Sequence, residues 1–474
     1  MKRLLCLLLA GLMLFAAAAC SAGSLPRQAE PETQPTEPLE GSSSGEPSEA
    51  PSDFIDDLTP MENPPIRPGE SLDHPPIDLD DPIEPISEPM GGSAETTEAT
   101  DLTGDAAFSD LLSAALLSGT QNRNLSPISV YLALAMVAEG ADGDTLAELL
   151  NLLGCKDLAE LRGVCGALLE SLSVDTDRST LDLHNSLWMA DTVFGEKVTF
   201  RDAYLSVLTD TYRSEANTVD FGSTSSKQQI ADWINKYTRG KINVKPDALN
   251  FNPDTLAVLI NTIYLKDGWA ETFSEERTES GTFYSPDGEI DVDYMNRDDA
   301  NVTVRRGDGW YSYRVYLNRI GYVTFVLPDE DVPLPLLLGT PDAIGTLLRG
   351  GTEKQYDVSL KIPKFKFRDK MELTAVLSSL GLNLSFTPDA DFSGMSDMPC
   401  RIDEVIQESY IGVDENGVEA AAYTMISMRT TGFMEPVQLE KLDFHLTRPF
   451  LYAIESRDGT VLFIGTVTVP GTNE

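Results

Sequence analysis

Few residues in this chain are equipped for catalysis. It holds three histidines, His74, His184 and His445, and five cysteines. His74 lies among prolines and acids, His184 in a strand-like run, and His445 close to the strand-like runs at the C-terminus. A hydrolase needs a nucleophile and a base held together. The chain has neither a Gly-x-Ser-x-Gly elbow nor a His-rich metal motif, so it does not read as an enzyme. Cys6 and Cys20 belong to the N-terminal leader. The remaining Cys155, Cys165 and Cys400 cannot all pair and match no metal spacing, and they read as core thiols. No cofactor or metal is implied. The segment with chemical potential is of another kind: Asp414-Glu415-Asn416-Gly417-Val418-Glu419-Ala420-Ala421-Ala422. An acidic turn runs into small residues that can join a sheet without wedging large groups between strands, and Val418 favours a strand once in place. Nothing bulky holds the segment anywhere, which suits a conformational trap.

The elements that must position this segment begin well inside the chain. Lys2-Arg3 and the apolar run Leu4 to Ala19 form a secretory signal, too short to span a membrane comfortably. Residues 1–20 therefore read as a signal peptide. Its end, Ala17-Ala18-Ala19-Cys20-Ser21, resembles a bacterial lipoprotein processing site, in which Cys20 becomes the first mature residue and carries a lipid. Ordinary cleavage with Cys20 incidental is the alternative. Residues 21–100 hold 15 of the 29 prolines, with 19 acidic against 2 basic side chains. Proline breaks helix and sheet, and like charges repel, so this segment reads as an extended disordered linker. At about 50 Å or more end to end, it is either a tether lifting a domain off a membrane or a leader without that role. The net charge of −41 is poorly suited to nucleic acid or to an anionic membrane surface.

Residues 101–474 read as one folded domain. Ala106 to Leu117 is amphipathic at helical spacing, Pro127 opens a helix running to Gly140, Asp144 to Leu153 forms a third, and Lys227 to Tyr237 carries Trp233 on its apolar side. Strand signals dominate later. Leu256 to Leu265 is nearly continuous and apolar, as in a strand buried on both faces. Gly321 to Pro328 is another, Val358 to Phe365 alternates, and Phe450–Ile454 and Val461–Val467 flank the turn Arg457-Asp458-Gly459. Helices first, then strands with helices between, argue for an α+β domain.

Six motifs in this order resemble the serpin family over about residues 104 to 470. They are Asn124-Leu125-Ser126-Pro127-Ile128-Ser129 with Ala133 to Met136; Gly140 to Thr145; Val219-Asp220-Phe221; Thr238-Arg239-Gly240-Lys241-Ile242; Asn261 to Lys266 running to Trp269; and Arg448-Pro449-Phe450-Leu451 with Phe463 to Val467. The resemblance implies three β-sheets, eight or nine helices and an exposed reactive loop. It makes Gly417, Val418, Glu419, Ala420, Ala421 and Ala422 the hinge of that loop. It implies a suicide substrate for serine proteases, forming a covalent acyl complex and trapping it by inserting the cut loop as a strand. Ser126, Ser129, Asn261 and Trp269 resemble the residues around which the sheet opens, although the family usually has a histidine near Gln407. Counting the family's hinge length from Glu415 puts the scissile bond at Thr431-Gly432, suited to elastase-like or subtilisin-like enzymes. Arg429-Thr430 would instead recruit trypsin-like ones, and Met428 and Phe433 are further candidates. The expected protein is an exported monomer, extracellular or anchored at the cell surface through Cys20. The rival reading is a non-inhibitory family member that acts as a surface-tethered binding or carrier protein.

Overall fold

The computed structural model describes residues 104–251, 254–340, 342–418 and 439–471. Among them are nine α-helices and three sheets, as expected. The leader, Cys20 and the linker lie outside the described residues.

The helices follow the sequence closely. Gly104–Leu117, Pro127–Ala138, Gly143–Leu152 and Thr224–Tyr237 all form. Asp142 caps the third by accepting from the Gly143 amide, and Ser223 caps the last by accepting from Ser226 N. Pro127 sits at the first helical position, where its missing N–H is not needed. Pro127–Ala138 is apolar on nearly every side, the mark of a helix buried all round. It packs between the two large sheets, on Ala257–Gly268 of one and Val461–Val467 of the other.

The nine-stranded sheet runs in the order Arg123–Leu125, Val461–Val467, Phe450–Ser456, Gly321–Pro328, Trp310–Tyr316, Gly288–Gly307, Thr352–Pro363 and Glu440–His445, with Glu279–Ser285 paired to Gly288–Gly307. Phe450–Ser456 and Val461–Val467 are antiparallel neighbours across the expected turn, where Gly459 takes a positive φ of 86°. The run from Val358 to Phe365 proves to be parts of two strands. The chain breaks at Lys364 and passes from Thr352–Pro363 in this sheet to Phe365–Glu372 in the other. The alternation slips by one residue there: Val358, Leu360 and Ile362 are buried before the break, Pro363 is buried too, and Phe365 and Phe367 after it.

The seven-stranded sheet runs Phe365–Glu372, Ile406–Asp414, Gly417–Val418, Ala257–Gly268, Thr180–Ala190 and Val174–Asp175, with Ser214–Val219 also paired to Thr180–Ala190. One expectation fails here. The strand Ala257–Gly268 forms, but residues 257–261 are each only half-buried. Among the described residues they have a strand neighbour on one side only.

Candidate functional site

Among the described residues, no strand fills the position beside the central strand Ala257–Gly268 beyond Val418. Gly417 pairs with Asp414 and Gly268, and Val418 with Val413 and Asp267, antiparallel on both sides. Beyond that two-residue bridge, among the described residues, 257–266 of the central strand pair only with Thr180–Ala190, and 406–412 of the outer strand only with Phe365–Glu372. The two edges face each other across a cavity of about 1600 Å³, floored by Ser126, Ser129, Val130 and Ala133 at the start of the buried helix. Unfilled, these rows leave strand edges unpaired, the arrangement most ready to accept another strand. Two buried side-chain atoms at the slot, Asn261 Oδ1 and Thr262 Oγ1, have no hydrogen-bond partner.

The hinge is anchored at the upper end. Trp269 N donates to Asn416 O at 3.1 Å, and its indole Nε1 donates to Asp414 O at 2.8 Å. Phe273 N donates to Glu415 O at 3.3 Å. The Glu415 carboxylate accepts from Thr278 Oγ1 at 2.7 Å and from Lys364 Nζ at 3.0 Å. Burial, the largest single influence on Glu415, pushes its carboxyl up, but the bonds from Thr278, its own amide and Lys364 together hold it below the usual range. Burial raises the neighbouring Asp414, with the Asn416 and Gly417 amides offsetting only part. Gly417 has φ of 149°, and a Cβ there would stand 2.2 Å from Asp267 O, so only glycine fits. Val418 is 3% exposed. The carboxylate of Asp267 is itself satisfied by Ser179 Oγ at 2.7 Å, Arg319 N at 2.9 Å and Ile320 N at 2.7 Å.

Lower down, a second set of bonds ties the outer half-sheet to the segment before the buried helix. Ser126 N donates to Gln407 Oε1 at 2.9 Å, Gln407 Nε2 donates to Ser126 O at 2.8 Å, and the Ser126 and Ser129 hydroxyls lie 3.0 Å apart. Asp369 accepts from Arg123 NH1 and from Asn124 N, each at 3.1 Å. The structure thus brings Ser126 and Ser129 together and adds Gln407. Asn261 lines the same cavity but is bonded elsewhere, its Nδ2 donating to Asn185 Oδ1 at 2.8 Å. Trp269 stands eight rows along the strand, roughly 26 Å away, in the hinge anchor. Gln407, Glu415 and Lys364 were not singled out as partners in the sequence. For Gln407 the sequence offers the family's usual histidine near it and its place in the alternating run Ile406–Asp414. Glu419 to Ala422, Arg429, Thr430, Thr431 and Gly432 lie outside the described residues.

The histidines form no active site among the described residues. His184 stacks on Tyr237, with centroids 3.9 Å apart. His445 Nε2 is 3.2 Å from Ser359 Oγ, but no described group bonds its other ring nitrogen, so the pair lacks the third member that orients a catalytic imidazole. No described helix is long and apolar enough to cross a membrane, and no described cluster could hold a metal.

The described residues thus form a mixed domain whose seven-stranded sheet has a gap beyond the seated pair Gly417–Val418. The family model described as serpin (serine protease inhibitor) matches residues 104–470, and the chain belongs to that family. An uncharacterised serpin-like protein of Thermococcus kodakarensis is 29% identical over 373 residues, covering 75% of this chain and 82% of its own. Serpin A3-1 of Bos taurus is 30% identical over 380 residues, covering 77% and 88%. The native state of tengpin, a thermophilic serpin, superposes with a TM-score of 0.67 at 26% identity, covering 80% of this chain and 96% of its own. Serpins are mostly protease inhibitors, with some binding proteins, rather than enzymes.

Proposed function

We propose that this protein inhibits serine proteases as a suicide substrate. The carrying observation is the seated pair Gly417–Val418 at the head of a strand position that no other described residue fills. Loop insertion as an added strand is the established mode in this family. The protease serine attacks the Thr431 carbonyl and the Thr431–Gly432 bond breaks. Gly432 leaves as the amine with the transferred proton, and Thr431 stays esterified to the enzyme. The freed segment then continues the register that Val418 begins. In that register Ala420 and Ala422 face the buried side. Thr424 comes level with Asn261, whose Oδ1 lacks a partner, and with Gln407. Each inserted residue completes hydrogen bonds on two edges, so the native state is held by a kinetic barrier.

A threonine at the bond suits elastase-like or subtilisin-like enzymes, and Arg429 would suit trypsin-like ones. The test mixes the protein with one of each and runs denaturing gels. A complex that survives boiling is expected, and mass spectrometry of the released C-terminal fragment identifies the bond. Clean cleavage with fully active protease would sink the inhibitory reading in favour of a surface-tethered binding role. We also infer export and lipid anchoring through Cys20, supported by the basic start, the apolar run and the small residues before that cysteine. An unmodified Cys20 at the mature N-terminus, read by mass spectrometry, would overturn the anchor.

A further inference from the structure

The turn after helix Thr224–Tyr237 touches both edges of the gap in the seven-stranded sheet. The helix itself is tied to the central half-sheet. Tyr237 stacks on His184, and Trp233 Nε1 donates to Glu215 Oε2 at 3.1 Å. The chain then bends through two left-handed residues, Arg239 at φ of 49° and Gly240 at 75°. Glycine adopts that region freely, whereas an arginine there carries strain. Asn235 stiffens the turn. Its side chain accepts from Val244 N at 2.7 Å and donates to Val244 O at 2.8 Å, and Gly240 N donates to Asn235 O at 2.7 Å.

Two cations from this turn reach opposite edges. Arg239 Nη2 donates to Asp182 Oδ2 at 3.2 Å, and its guanidinium carbon lies 4.5 Å from the centre of the Tyr264 ring. Asp182 and Tyr264 are register partners on Thr180–Ala190 and Ala257–Gly268, so this grip falls on the central half-sheet. Lys241 Nζ lies 5.3 Å from the centre of the Tyr410 ring, on the outer strand Ile406–Asp414. Both separations are short enough for a cation to be drawn to a ring face. Among the described residues, Gly417–Val418 alone bridges these two strands within the sheet. We propose that Arg239–Lys241 is a clasp across the gap, in which the Lys241–Tyr410 contact holds the outer strand to the central half-sheet and limits how far the two separate. Arg239 takes its strained φ because it must seat on Tyr264 while Lys241 reaches Tyr410. Every residue of the clasp belongs to the folded body, so it stands whether or not the protein inhibits a protease.

The experiment uses the full chain and the variants Lys241→Met, Tyr410→Leu, Tyr410→Phe and the pair Lys241→Met with Tyr410→Leu. The readout is amide exchange at Gly417 and Val418, which bridge both strands. Lys241→Met keeps the apolar stem and drops the charge. Lys241→Met and Tyr410→Leu should each quicken exchange about two- to fivefold, the worth of one partly exposed cation–ring contact. The pair should exchange no faster than Tyr410→Leu, because both changes remove the same contact. Tyr410→Phe keeps the ring face and should match wild type. Lysine side-chain NMR checks the contact apart from stability. The ring-current shift of the Lys241 ε-methylene should vanish in Tyr410→Leu and persist in Tyr410→Phe. Effects that multiply in the paired variant, unchanged exchange in Tyr410→Leu, or an unshifted Lys241 signal in the wild type would each overturn the clasp.

Discussion

Gln407 and Ser126 are joined twice, the glutamine amide donating to Ser126 O at 2.8 Å and accepting from Ser126 N at 2.9 Å. One side chain thereby satisfies both backbone groups of a residue at the entrance to the buried helix Pro127–Ala138. With Asp369 holding Asn124 N, it fixes the outer half-sheet to that entrance. The central strand lacks an equivalent tie, since Asn261 bonds Asn185 within its own half-sheet. These bonds make the outer strands and the Arg123–Ser126 segment one hydrogen-bonded unit.

Truncating that side chain should therefore cost more than a surface change. In Gln407→Ala, Ser126 N remains buried without a partner, at roughly 1–3 kcal/mol for the orphaned group, while Ser126 O keeps only the 3.4 Å bond from Val130 N. Equilibrium denaturation of the uncleaved protein should show a loss of that order, and spontaneous loop insertion on warming should quicken. A stability within experimental error of wild type would show that water replaces the amide and that the tie is dispensable.

Gly417 permits a similarly direct test. Its Cβ would meet Asp267 O at 2.2 Å and Gly268 Cα at 2.7 Å, both backbone atoms that cannot swing aside. Gly417→Ala should unseat the hinge at a penalty of about 1–3 kcal/mol, typical of overpacking. Amide exchange over 413–418 should rise, and a larger share of the protein should be cleaved without trapping protease. Unchanged protection of Val418 would mean that the hinge seats by another route.

What could be read from the chain depended on how local the cause was. The helix Pro127–Ala138 was legible because its proline, its capping region and its apolar run lie together. The strand from Leu256 was legible as a strand, but its half-exposure was not. An apolar run cannot reveal that a neighbour on one edge is absent. Gln407 and Ser126 lie 281 positions apart, and no periodicity connects them. Lys364 read as the middle of a strand, yet it is the break between two sheets and the cation paired with Glu415. Val418 is found paired in the sheet, whereas its role as hinge rests on the resemblance, and Thr431 and Arg429 on a count along the loop.

Val418→Arg separates insertion from recognition. Val418 is buried beside Asp267, whose carboxylate is already fully engaged, so an arginine there is left without a dedicated partner. The protease still meets the same bait, and cleavage should proceed at a comparable rate. Trapping should fail, turning inhibitor into substrate on a denaturing gel. Retained inhibition would count against insertion starting at this residue.

The hinge anchor should also respond to acid, with two carboxylates acting in opposite senses. The Glu415 carboxyl is held below its ordinary range, so its contribution is present above the unfolded value and is lost as pH falls through the depressed folded one. The Asp414 carboxyl is raised by burial, so its penalty is present at neutral pH and is relieved as pH falls through the raised value. In the wild type the two partly cancel. Asp414→Asn removes the compensating member, and its melting temperature should fall more steeply than wild type as pH falls through and below the ordinary carboxylate range. Glu415→Gln keeps a hydrogen-bonding group but loses the ion pair with Lys364. It should start lower at neutral pH and show the shallowest acid loss of the three. Parallel profiles for all three proteins would show that neither carboxylate governs the hinge.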